Sequence, residues 1–132
     1  MRSFMTRLQR RVAEEQSGFT LIELLIVLVI IGILLAIAVP SYLGFKDRAN
    51  NTAAEANVRA GVPAVEAYYA SNGTYVGLSL AALQAIDSGV KLNDPAASAA
   101  KQTLTSYCIS ATVGGKTWYR GGPGATITTT AC

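Results

Sequence analysis

Gly18-Phe19-Thr20-Leu21-Ile22-Glu23-Leu24-Leu25-Ile26-Val27-Leu28-Val29-Ile30-Ile31-Gly32-Ile33-Leu34-Leu35-Ala36-Ile37-Ala38-Val39-Pro40 is the stretch that decides the architecture of this 132-residue chain. From Leu24 to Val39 it carries no charge. A helix needs about 20 apolar residues to cross a hydrocarbon core roughly 30 Å thick. In that core it satisfies its own backbone polar groups. A helix packed on a soluble core keeps one polar face. This stretch has none, so apolar surroundings are expected on every side. Glu23 is the exception. A carboxylate at the centre of a membrane helix costs about 2.5–3.5 kcal/mol on insertion scales, and less near the end of the span. Either Glu23 snorkels to the interface and does nothing more, or it awaits a positive partner.

The 18 residues ahead of Phe19 hold Arg2, Arg7, Arg10 and Arg11 against Glu14 and Glu15. Cations ahead of an apolar run keep that end in the cytoplasm and send the following segment across. The remainder is close to neutral, which speaks against nucleic-acid binding through a broad basic patch. Hydrophobic residues make up 51% of the chain and charged residues 14%. That is too apolar for disorder and fits a membrane-anchored protein with one small domain beyond the span. An ordinary secretory signal is cut at small residues after its apolar core, and Ala36-Ile37-Ala38 is a weak match. Yet the run is longer than the usual core of about 7–15 residues. A cut between Gly18 and Phe19 would keep the anchor.

Gly18-Phe19-Thr20-Leu21-Ile22-Glu23 resembles the prepilin cleavage and methylation motif of type IV pilins and type II secretion pseudopilins. The matching residues are the glycine before the cut, the aromatic after it and the glutamate four residues on. Gly32 and Pro40 extend the likeness. The resemblance implies cleavage after Gly18 by a prepilin peptidase and N-methylation of the new terminus at Phe19. It implies that Glu23 of one subunit meets the Phe19 ammonium of the next, which supplies the positive partner. A low-dielectric setting penalises an unpaired carboxylate, so the pairing is physically reasonable. Staggered identical helices joined head to tail form an open helical filament, a homo-oligomer. An assembly ATPase and a membrane platform protein are implied as partners. The subunit would sit in the cytoplasmic membrane before assembly, with its N-terminus cytoplasmic, and in an extracellular filament afterwards.

Gly32 and Pro40 weaken the helix, by about 1 kcal/mol for glycine and by a lost backbone hydrogen bond for proline. They allow a bend and close packing along the row Gly32, Ala36 and Pro40. The family reading adds that this segment unwinds on assembly. From Ser41 onward polar residues interrupt the pattern, and the helix is expected to continue as an amphipathic one to Ala70. At 1.5 Å per residue, Phe19 to Ala70 would span roughly 75–80 Å. Val58, Val62, Val65 and Tyr69 form a stripe that should bury. Phe45, Ala49, Ala53, Ala56 and Ala60 form a second row, either core or subunit contact. Gly61 and Pro63 suggest a kink.

Asn72-Gly73 is a helix stop. Leu78 to Ile86 reads as a short helix with Ser79 as a cap. Asp87 and Asp94 suit turns and caps better than a calcium site, which wants six to eight oxygens. Two cysteines with no histidine and no CxxC make a zinc site improbable. Asn50-Asn51-Thr52 and Asn72-Gly73-Thr74 match the glycosylation sequon, a pattern common by chance. Thr103 to Val113, Lys116 to Arg120 and Ala125 to Ala131 read as strands, the first two joined by a Gly114-Gly115 turn. Cys108 and Cys132 either pair, if this part is exported, or remain two reduced buried thiols. A C-terminal disulfide loop matches many type IV pilins. Trp118, Tyr119 and Arg120 within it are an adhesive patch or packing residues.

The expected organisation is therefore a leader (1–18), a membrane and filament-core helix (19–40), its amphipathic continuation (41–70) and a globular head (71–132). The fold class is α+β, a long helix on an antiparallel sheet of about three strands. No catalytic set is visible: histidine is absent, and no nucleophile–base pair or phosphate-cradling loop stands out. No enzyme activity, cofactor or metal is expected. The function expected is a structural filament subunit. A pseudopilin of a secretion or DNA-uptake system is the alternative within the family. A monomeric membrane-anchored binding domain is the alternative outside it.

Overall fold

A computed structural model describes residues 18–132. The leader expected over 1–18 lies outside the described residues apart from Gly18. The chain divides into two compact units between Tyr42 and Leu43. Helix α1 runs from Leu21 to Asn72, through Gly32, Pro40, Gly61 and Pro63. Gly73, in the left-handed region at φ 68°, ends it. Its amide donates to Tyr69 O at 2.7 Å, and Asn72 Nδ2 donates to Tyr68 O at 2.9 Å. A glycine after the last turn takes this conformation without the Cβ penalty.

In the first unit, the apolar side chains of α1 are all exposed among the described residues. Among the large hydrophobic residues from Phe19 to Val39, even the least accessible, Ile31, is 45% exposed. In the second unit, α1 has a buried face. Val58 and Val65 are fully buried, with Ala54, Gly61 and Ala64 beside them. Val62 packs at the edge. Tyr69 stays partly exposed but stacks on Tyr75 with ring centroids 4.5 Å apart. The expected stripe is thus core at Val58 and Val65, with Val62 at its edge and Tyr69 exposed. Ala49, Ala56 and Ala60 point outward, so the second row is not core within this chain. Gly61 has a packing reason: a Cβ there would lie 2.7 Å from Leu92 Cδ1.

Helix α2 (Leu80–Ile86) is capped by Ser79, whose hydroxyl accepts from Ala82 N at 3.2 Å. A 3-10 helix follows at Pro95–Lys101, where the sequence suggested only a turn. Asp94 opens it, with proline at the first position, a start that tolerates the missing N–H. Strands β1 (Cys108–Val113) and β2 (Lys116–Gly121) form an antiparallel hairpin, pairing Cys108 with Gly121 and Val113 with Lys116. Gly114 and Gly115 both have positive φ, as a tight two-residue hairpin loop demands. Tyr75 and Tyr107 are buried edge to face at 4.9 Å. Burial, reinforced by the Glu66 carboxylate that accepts from its hydroxyl at 3.1 Å, pushes the Tyr75 phenol up to about 12.

The sheet is antiparallel as expected but has two strands, and its borders differ in two places. Residues 103–107 are not strand. Thr103 Oγ1 instead accepts from Ser106 N at 2.9 Å and closes a local turn, the competition that Thr offers to a ladder. The expected third strand, Ala125 to Ala131, is reduced to a single bridge between Tyr119 and Thr128. Continuing that register would bring Cys132 opposite Gly115, about 20 Å along β2 from Gly121, the partner of Cys108. The bond between Cys132 and Cys108 holds their Cα atoms 5.8 Å apart and forbids it.

Gln102 is the one buried polar side chain of this unit. Its Nε2 donates to Cys108 O at 2.9 Å and its Oε1 accepts from Cys108 N at 3.2 Å. The amide thus stands in for a neighbouring strand. Gln102→Leu leaves both backbone groups buried and unpaired. The expected loss is about 2–3 kcal/mol of head stability, read by chemical denaturation.

Candidate functional site

The expected functional residues fall at two places and along the helix between Gly32 and Pro40. At the start of α1, Thr20 and Glu23 form a reciprocal pair. Thr20 N donates to Glu23 Oε2 at 2.9 Å, and Glu23 N donates to Thr20 Oγ1 at 3.3 Å. This is a capping box, in which two orphan amides of a helix start are satisfied by side chains. The carboxylate also lies in the first turn, where the helix dipole favours negative charge. Its other oxygen, Oε1, makes no hydrogen bond among the described residues. Gly18 sits just before, at φ 57°, and Phe19 is 82% exposed. The structure therefore gathers Gly18, Phe19 and Glu23 at one exposed helix end. The carboxylate there has one oxygen engaged and one open.

Within the helix, a Cβ added to Gly32 would meet nothing within 4 Å. No contact within this chain requires glycine there. Pro40 has no N–H to give to Ala36 O. Next to it, Ser41 Oγ donates to Ile37 O at 3.2 Å, and the helix continues.

At the other place, Cys108 and Cys132 are joined in a disulfide. The Lys101 ammonium donates to Cys132 O, which ties the 3-10 helix to the same end. Trp118 packs against the core and its indole donates to Asn51 Oδ1 at 3.2 Å, so this aromatic is a packing residue. Tyr119 and Arg120 are half-buried.

Asp87 closes α2 and accepts from Gly89 N at 2.9 Å. Asp94 Oδ1 accepts from Leu80 N at 2.9 Å and from Ala96 N at 3.0 Å. These two bonds hold the Asp94 carboxyl below its ordinary 3.8. The stabilisation it gives is complete above that ordinary value. It is lost as pH falls through the lowered folded value. In thermal melts, the gap in Tm between the native chain and Asp94→Ala should therefore close as pH drops from 5 toward 2. Asp94→Asn, which keeps an acceptor without the charge, should lie between them at pH 5.

Two of these roles were not assigned from the sequence, the capping box and the Gln102 clamp. The capping box was legible as Thr-x-x-Glu. The double cap of Asp94 was half legible, since Asp-Pro announces a helix start but not the second amide across the loop. The Gln102 clamp left no local signal.

A family profile described as the prokaryotic N-terminal methylation motif matches residues 15–39. The chain is 37% identical over 111 residues to the type IV wide pilus major component of Thermus thermophilus, covering 80% of this chain and 81% of that protein. It is 58% identical over 53 residues to the type IV narrow pilus major component of the same organism, covering 40% of this chain and 42% of the relative. It is 43% identical over 68 residues to the type II secretion system core protein G of Pseudomonas aeruginosa, covering 52% and 46%. Against these last two, the match spans less than half of the relative.

Proposed function

The chain belongs to the family of type IV pilins and type II secretion pseudopilins, and from that premise we propose that it is the structural subunit of a type IV pilus. One observation carries the reading: the apolar helix is exposed all round in the single chain, directly after the processing motif. Such a surface is stable only in lipid or against copies of itself. The helix anchors the subunit in the membrane first and then forms the filament core.

In the proposed sequence of events, a prepilin peptidase cuts after Gly18 and the new Phe19 amine is methylated. That amine, on an incoming subunit, meets the open oxygen of Glu23 on a subunit already in place. The Thr20 amide holds the carboxylate at the helix end meanwhile. Gly32 lets neighbouring helices approach closely, and Pro40 marks where the helix can loosen. The N-terminus lies on the cytoplasmic side, and an assembly ATPase and a membrane platform protein drive polymerisation. The second reading, a secretion pseudopilin, is favoured by the match to core protein G. That match covers about half of this chain, whereas the wide-pilus match covers four fifths.

Mass spectrometry of protein recovered from sheared surface fibres tests the proposal. A terminus at Phe19 carrying one methyl group is expected, in fibres that vanish when the gene is deleted. An intact Met1 end, or fibres that persist without the protein, would overturn it.

A further inference from the structure

The hairpin runs along α1 from the level of Glu66 to that of Asn50. At the start of β1, Tyr107 packs on Tyr75, whose hydroxyl bonds Glu66. At the hairpin tip, Gly114 lies against the side chain of Asn50. From Tyr107 to Gly114 the strand covers about 23 Å. From Glu66 back to Asn50 the helix covers about 24 Å. The two lengths agree, so the tip lies level with Asn50 on α1.

The last large apolar side chains before the head are Tyr42, Leu43 and Phe45, which are 64%, 55% and 73% exposed. Asn50 stands only about 7 Å further along the axis than Phe45. Lys46 is exposed one turn before Asn50 and on the same face, below the tip. Lys116 is at the tip itself, half-buried, opposite Val113. Arg48 is exposed on the other side of the helix. Asp47 is the single acid at this level, and among the described residues none of the three cations is in an ion pair; the pair found is Arg59 with Glu55.

We infer that Lys46, Arg48 and Lys116 form a basic collar that seats the head of the membrane-stored subunit on anionic lipid headgroups. The inference rests on the anchoring proposed above. Tyr42 is an amphipathic ring of the kind that favours the interface. The cations follow within one turn, at the depth of the phosphates. Clustered Lys and Arg beside a membrane helix are attracted to a negatively charged leaflet, and salt screens that attraction. The collar holds the hairpin against the surface until the subunit is extracted.

The chain carries its own reporter. Trp118 is the only tryptophan, and its indole bonds Asn51, about 9 Å along the axis from Phe45. The full chain would be reconstituted into phosphatidylcholine vesicles with or without 30 mol% phosphatidylglycerol (a composition on the order of anionic bilayers), each doped with a headgroup nitroxide lipid. Quenching of Trp118 is expected to be about twofold stronger in the anionic vesicles and to fall to the neutral-vesicle level at high salt. The variant Lys46→Gln/Arg48→Gln/Lys116→Gln should lose the difference while keeping its Tm. Equal quenching in both lipids, from a chain that floats with the vesicles, would overturn the collar alone. A chain that does not float with either vesicle would overturn the anchoring reading as well.

Discussion

Glu23→Leu should still insert in the membrane and lose its leader, yet its filament yield should drop to background. The proposed filament contact pairs the Glu23 carboxylate with the Phe19 ammonium of a neighbour. Removing one partner of such a buried pair strands the other, at about 3–5 kcal/mol. That is several powers of ten in each subunit's docking equilibrium, and it recurs at every step of growth. The capping box offers a competing explanation, because leucine also abandons the Thr20 amide. A lost cap costs about 1 kcal/mol. Glu23→Gln separates the two, since its carbonyl oxygen still accepts from Thr20 N but carries no charge. If charge pairing is the role, the glutamine variant fails as leucine does. Filaments at normal yield from Glu23→Gln, counted by electron microscopy, would leave capping as the whole function of this residue.

Removing the disulfide is the second large effect. Cys108 and Cys132 enclose a loop with a sequence separation of 24. Constraining a loop of that size in the unfolded chain is worth about 3 kcal/mol in the chain-entropy model. For a head of this size, such a loss lowers Tm by on the order of 15 °C. Cys132→Ser and chemical reduction of the native chain should give the same drop, measured by calorimetry in detergent. The cost has a structural side too. The Cys132 end is held by few other contacts, chiefly the Lys101 bond and the single Tyr119–Thr128 bridge. An unchanged melting point in the reduced protein would mean that these contacts suffice alone.

Much of this architecture was written locally. The uninterrupted apolar run named the first part of α1, and the 3.6-residue spacing of Val58 and Val65 named its buried face. Paired glycines at 114 and 115 named the hairpin. The failures in the head were contests that local pattern does not decide. Threonine-rich 125–131 has strand propensity, but the covalent tie of Cys132 to Cys108 overrules its register. Thr103 looks like strand and instead bonds its own loop. Gln102 reads as an ordinary polar residue, and only the fold brings it back to Cys108. At the processing end, the motif announced Gly18, Phe19 and Glu23. Its Thr-x-x-Glu spacing also carried the capping box, which was left unread.

The hairpin has two outer borders, and both are partly occupied. On β1, Asn93 N reaches Ser110 O at 2.8 Å, and the Gln102 amide covers Cys108. On β2, Thr128 exchanges both backbone bonds with Tyr119. A covered border offers a poorer template to a stray strand, so molecules crowded together with the Cys108–Cys132 bond formed are hindered from pairing through their sheets. The threonine tail is thus a blocking peptide fastened by sulfur. Reducing conditions would unfasten it and expose a sticky rim, so thioflavin-positive aggregates should accompany any batch of this protein made where its cysteines stay unpaired.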